Sequence, residues 1–226
     1  MEIIEVNGIQ LEGSLERRST ATSEGKLAVC LHPWSWLGGR MNDPVLASLK
    51  PLLRQKGYHI LLYNSRGVGR STGRASLTGS PEVDDLQAVV HWALDRLGDI
   101  QSVLLVGYSY GALIASSLPL LSRPLKTSHL LISYPVSVRG FLTLFRSGTY
   151  ASKLSELLRD NSSRVMVVYG DCDDFTGAGR YRAWQLELEK ETSATLTCVC
   201  VQGANHFWGS DRASAQLLES VESWVD

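Results

Sequence analysis

A mostly parallel β-sheet with helices on both faces, led by an antiparallel hairpin and carrying a minimal cap or none, is the α/β fold class the sequence predicts. Three observations carry that prediction. Six short apolar runs recur along the chain, helical patterns separate them, and an alternating segment centred on Asn7-Gly8 precedes them all. Strands buried on both faces of a parallel sheet read as such runs, rich in Val, Leu and Ile with little polar alternation. Strands that alternate with helices in this way build a parallel sheet with helical layers.

The elements follow in order. Residues Glu2–Arg18 alternate around Asn7-Gly8, a dipeptide that accepts positive φ, so they predict a hairpin. The strand candidates are KLAVCLH, YHILLYN, SVLLVGYS, HLLISYP, RVMVVYG and TLTCVCVQ. A helix is predicted over Asp43–Lys56, where Val45, Leu46, Leu49, Leu52 and Leu53 recur at helical spacing before Gly57. Another is predicted from Pro81 to Leu97, with Glu82, Asp84 and Asp85 in the first turn, where the helix dipole favours acids. Residues 112–121, 151–159, 178–191 and 211–225 complete the helical set. The stretch from Tyr134 to Ala151 shows no clear element and reads as a loop at the active edge. Neither a repeat nor a linker interrupts residues 1–226, so one domain is expected.

Composition narrows the function classes. The net charge is −1, which argues against a nucleic-acid partner and against a polybasic membrane surface. A hydrophobic content of 44% with 20% charged residues is that of a globular chain rather than a disordered one. Cys30, Cys172, Cys198 and Cys200 form no CxxC pair, so buried free thiols are expected and no metal site is. The start, MEIIEVNGIQ, lacks the basic and apolar regions of a signal peptide, and no apolar run approaches membrane-spanning length. A cytoplasmic location is the expectation.

The pattern G-x-S-x-G occurs twice, around Ser71 and around Ser109. Nucleophilic chemistry needs its serine on a sharp strand-to-helix turn, flanked at both second neighbours by glycine. VLLVGYS runs into Ser109 and GALIASSL runs out of it, so Ser109 fits. Ser71 lies in a Gly/Arg/Ser-rich loop beyond its strand and does not. A serine needs a base, and the base needs an orienting acid, in the chain order Ser, acid, His. Only His129 and His206 follow Ser109. His129 opens a strand; His206 stands in the loop after the last strand, where a base reaches across the sheet. The acid is sought after RVMVVYG, where Asp171, Asp173 and Asp174 share a loop. Asp173, three residues past Gly170, ranks first, with Asp171 and Asp174 open. The oxyanion donors are expected to be the N–H groups of Tyr110 and Trp34, since Pro33 has none. Trp34, Trp36, Phe207 and Trp208 flank these positions and read as pocket walls. The loop from Gly67 to Gly73 lacks both nucleotide-binding patterns. Arg66, Arg70 and Arg74, in and beside that loop, either meet an anionic substrate group or pair with nearby acids such as Asp84 or Asp85.

GYSYG, the GDCDDF loop, the NHF loop and HPWSWLGG together resemble the α/β-hydrolase superfamily. The likeness is greatest to small lidless serine hydrolases of the dienelactone-hydrolase-like and Xaa-Pro-dipeptidyl-peptidase-like kind. NSRGVGRS, from Asn64 to Ser71, resembles the N-x-R-G-x-G-x-S loop of that group. The resemblance runs from about Lys26 to the C-terminus. It implies an α/β-hydrolase fold, a Ser109–Asp173–His206 triad, an oxyanion hole at Trp34 and Tyr110, and no cofactor. Two departures stand out: dienelactone hydrolases use a cysteine nucleophile, and larger members carry a helical cap. The activity expected is cleavage of an ester, thioester or amide of a small-molecule substrate through an acyl-enzyme. A dipeptidyl-peptidase-like peptidase and a non-catalytic binding protein on the same fold are the rivals. The sequence is silent on oligomeric state.

Overall fold

The computed structural model describes residues 1–18, 25–121 and 125–225. The hairpin strands are β1 (Glu2–Val6) and β2 (Ile9–Glu16), and Asn7 and Gly8 between them both have positive φ. That geometry matches the twist of the two strands. Next come β3 (Lys26–Leu31), β4 (Tyr58–Tyr63), β5 (Ser102–Tyr108), β6 (Lys126–Ile132), β7 (Arg164–Gly170) and β8 (Thr195–Val201). The sheet order is β1-β2-β4-β3-β5-β6-β7-β8. The hairpin joins antiparallel through β2 and β4, and every pair from β4 to β8 is parallel. This is the mostly parallel sheet and N-terminal hairpin that the sequence predicts.

Helices α1 (Pro44–Gln55), α2 (Ser80–Leu97), α3 (Tyr110–Ala115), α4 (Arg139–Leu142), α5 (Ser147–Arg159), α6 (Ala178–Glu191) and α7 (Asp211–Trp224) cover the two faces. Alternate strand residues point to opposite faces, and both sets are apolar. Leu27, Val29 and Leu31 therefore enter a core with α2, α3, α5 and α6, while Ala28 and Cys30 enter one with α1 and α7. Among the described residues, no helix is long and apolar enough to cross a membrane.

Three expectations need correction. The helix after Ser109 stops at Ala115, short of Leu121, because the Ser116 and Ser117 hydroxyls both donate to the Leu113 carbonyl. Such bonds compete with the backbone ladder and end it. The Tyr134–Ala151 stretch is not a plain loop: it holds α4 and the first turn of α5. Helix α4 is one turn long and buries only Leu142, so it leaves no apolar period in the sequence. Of the cysteines only Cys30 is buried; Cys172 lies in a loop and Cys200 on the edge strand β8, and both are exposed.

Candidate active site

The site sits at the carboxyl ends of the parallel strands, where an open α/β sheet places its ligands. Ser109 follows β5 directly and precedes α3, with φ 54° and ψ −115°. An L-residue pays about 1–3 kcal/mol to stand in so sparsely populated a region. The turn is held from both sides: the Ser109 N–H donates to the Ile132 carbonyl at 2.8 Å, and the Ala112 N–H donates to the Ser109 carbonyl at 2.9 Å. Strand and helix then pass so closely that a Cβ on Gly107 would lie 2.4 Å from the Gly111 oxygen. One on Gly111 would lie 2.3 Å from the Leu31 oxygen. These contacts are the physical reason for glycine at both second neighbours.

His206 approaches from the loop between β8 and α7. Its Nε2 is 2.9 Å from Ser109 Oγ, and its Nδ1 is 2.7 Å from Asp173 Oδ2. A carboxylate only accepts, so Nδ1 carries the proton, Nε2 is the acceptor and the Ser109 hydroxyl is the donor. All three side chains are buried. The His206 ring is boxed edge-on by Phe175 at 4.6 Å and Phe207 at 5.6 Å, and the Tyr108 hydroxyl donates to the His206 carbonyl at 2.9 Å.

The three loop carboxylates do different work. Asp173 Oδ1 accepts the N–H groups of Phe175 and Thr176 at 2.9 and 2.8 Å, leaving Oδ2 for the histidine. Asp174 accepts the backbone N–H of His206 at 3.2 Å, and Asp171 accepts that of Gly203 at 2.6 Å. Tyr181 of α6 was not singled out by sequence. Its hydroxyl donates to the Tyr134 carbonyl at 2.9 Å and lies 3.4 Å from Asp173 Oδ2. Burial, then the nearby Asp173 charge, raises its pKa, so it stays a neutral phenol.

His32 fastens the opposite wall. Its Nδ1 donates to the Pro33 carbonyl at 2.7 Å, and its Nε2 accepts the Ser65 N–H at 3.0 Å. This ties the loop after β3 to the loop after β4. Trp34 lies on the cavity and Tyr110 is the first residue of α3, whose opening N–H groups have no intrahelical acceptor.

A cavity of about 120 Å³ opens over Ser109 and His206, with Trp34, Leu37, Val138, Leu142, Phe175 and Phe207 among its walls. Two of the expected wall residues are elsewhere. Trp208 is turned by a φ of 56° into the core beside α7, where its indole N–H donates to Ser133 Oγ at 3.0 Å. Trp36 does not line the cavity; it stacks on Trp34, 5.8 Å between ring centres and 2° from parallel. Val138 and Leu142 were missed because their i, i+4 pairing belongs to the single turn of α4. Asp43, which caps α1 and also lines the cavity, was missed as well.

The other serine of the repeated pattern is structural. Ser71 Oγ accepts the Glu12 N–H at 2.9 Å and donates to the Asn64 carbonyl at 2.8 Å. Arg66 forks onto Asp85 with two 2.7 Å bonds, which settles its choice between an acid and a ligand anion.

A family model described as the alpha/beta hydrolase fold matches residues 37–130. An uncharacterized protein of Rickettsia prowazekii is 38% identical over 128 residues, a match that covers 56% of this chain and 53% of the rickettsial one. The chain thus spans about half the length of that relative. Among solved structures, a protein of unknown function from Agrobacterium tumefaciens superposes with a TM-score of 0.79 at 23% identity, over 96% of this chain and 90% of its own. An alpha-beta serine hydrolase homologue from Coxiella burnetii superposes with a TM-score of 0.78 at 25% identity, over 98% and 95%.

Proposed function

We propose that this chain, whose fold is that of the α/β hydrolases, is a serine hydrolase that cleaves an ester, thioester or amide through an acyl-enzyme. The observation that carries the reading is the unbroken hydrogen-bonded line from Ser109 through His206 to Asp173, at a strained strand-to-helix turn. Ser109 Oγ attacks the substrate carbonyl carbon while His206 Nε2 takes its proton. The oxyanion that forms is met by the N–H groups of Trp34 and Tyr110, aimed where charge develops. His206 returns the proton to the leaving alcohol, thiol or amine as the carbonyl–heteroatom bond breaks. Water then repeats the sequence on the acyl-enzyme and frees the acid. Asp173 holds the imidazole in the required tautomer and offsets its transient charge.

The cavity limits the acyl group. An apolar cavity of about 150 Å³ takes a benzene ring, so the space over Ser109 suits a short to medium apolar group rather than a long chain. A fluorophosphonate probe tests the reading. Labelling of Ser109, lost in Ser109→Ala and kept in Ser71→Ala, is expected, with kcat/KM highest for short to medium p-nitrophenyl esters. An unlabelled wild-type chain would instead make this a hydrolase fold used for binding.

A further inference from the structure

Exposed apolar side chains are concentrated around one opening. Trp36, Leu37, Phe141, Leu144, Phe145 and Phe207 are all exposed: Leu37 and Phe207 line the cavity, Trp36 and Phe141 pack on Trp34 of its wall, and Leu144 and Phe145 directly follow the wall residue Leu142 along the chain. Phe141 stands edge-on to Trp34 at 5.6 Å, and Leu37 and Phe207 run from the rim into the cavity. A concentration of exposed apolar side chains around one opening marks an interaction face. Leu144 and Phe145 both have positive φ, 47° and 63°, a conformation that costs an L-residue energy. The Phe145 N–H closes back on the Gly140 carbonyl, and the Thr143 hydroxyl bonds the Arg139 carbonyl. The backbone is thus satisfied locally while Phe145 remains 85% exposed. Between Pro135 and Tyr150 there is no acidic residue; of the two arginines there, Arg146 is exposed and Arg139 is half-buried.

We infer that the rim built from Trp36, Phe141, Leu144 and Phe145, with Arg146 beside it, seats the cavity mouth on an anionic lipid surface. The inference needs no catalysis and goes beyond the hydrolase reading. Aromatic and aliphatic tips that insert at the headgroup boundary, flanked by arginine, are the chemistry of interfacial binding. A second copy of the chain fits less well, because a two-fold contact would set each copy's arginine-bearing segment against its own like. The composition-based expectation of no membrane partner averaged the whole surface, and this patch is a local departure from it.

The test is sedimentation of the full chain with vesicles of equal phosphatidylglycerol and phosphatidylcholine, and with phosphatidylcholine alone. The wild type is expected to sediment with the anionic vesicles and to be released by high salt. Phe145→Asp should weaken binding at least about tenfold, and Arg146→Glu about tenfold on the anionic vesicles only. Neither side chain lines the cavity, so fluorophosphonate labelling in vesicle-free buffer should be unchanged in both. That separates loss of the surface from loss of the hydrolase. Three results would overturn the inference: no sedimentation with either vesicle, equal sedimentation of Phe145→Asp, or a dimer in sedimentation velocity that Phe145→Asp dissolves.

Discussion

Asp171, Asp173 and Asp174 stand within four residues of one another, and what each accepts sets what its loss would do. In Asp173→Asn the side-chain amide must donate where the carboxylate accepted, which moves the His206 proton to Nε2. That is the wrong tautomer for taking a proton from Ser109, and kcat is expected to fall by about 10⁴-fold. Asp171→Asn and Asp174→Asn keep an oxygen for the Gly203 and His206 N–H groups, so changes within about tenfold are expected. Parallel kcat measurements on the three variants decide it. A dead Asp174→Asn with an active Asp173→Asn would transfer the orienting role by one residue. Chain order and loop position were enough to reach residues that lie in hydrogen-bond contact, because those constraints are local. The direction of an aromatic ring in a loop is not local. Trp208 and Phe207 are adjacent, yet one enters the core and the other the cavity, and only the turn at Trp208 separates them.

At the scale of elements, the β5–α3 elbow trades stability for geometry. Ser109 occupies a backbone region that glycine enters without a Cβ penalty. Ser109→Gly is therefore expected to be more stable than Ser109→Ala by about 1 kcal/mol or more, with both variants unlabelled by fluorophosphonate. Urea midpoints of the two inactive proteins isolate the backbone from the hydroxyl. Equal midpoints would mean that the surrounding glycines and hydrogen bonds, not Ser109, carry the strain. The strands β3 to β7 were legible since both faces are apolar, and α6 was legible to its ends. α4 was not, because one turn burying one leucine has no period to read.

For the whole molecule, pH acts through two histidines sealed in opposite settings. His32 is fully hydrogen-bonded between two loops. His129 of β6 is buried with neither ring nitrogen partnered among the described residues. Burial pushes both down to about 4 from 6.5. Between those values the unfolded chain takes up protons that the native chain refuses, so stability is highest above about pH 6.5 and falls as pH drops toward 4. Each group contributes a slope of up to about 1.4 kcal/mol per pH unit. His129→Leu removes one of the two and should flatten the loss, read as urea midpoints at pH 7, 6 and 5. Unchanged slopes would place the acid sensitivity elsewhere.

The spatial order β5-β6-β7-β8 is also the order in which those strands leave the ribosome. Ser109 emerges with β5, Asp173 after β7, and His206 only after the edge strand β8. A nascent chain can hence complete most of its sheet while Ser109 has no histidine beside it, and the hydrogen-bonded line closes only after the last of these strands. A chain cut between β5 and β8 would keep the strained turn at Ser109 and lack the histidine that its hydroxyl bonds.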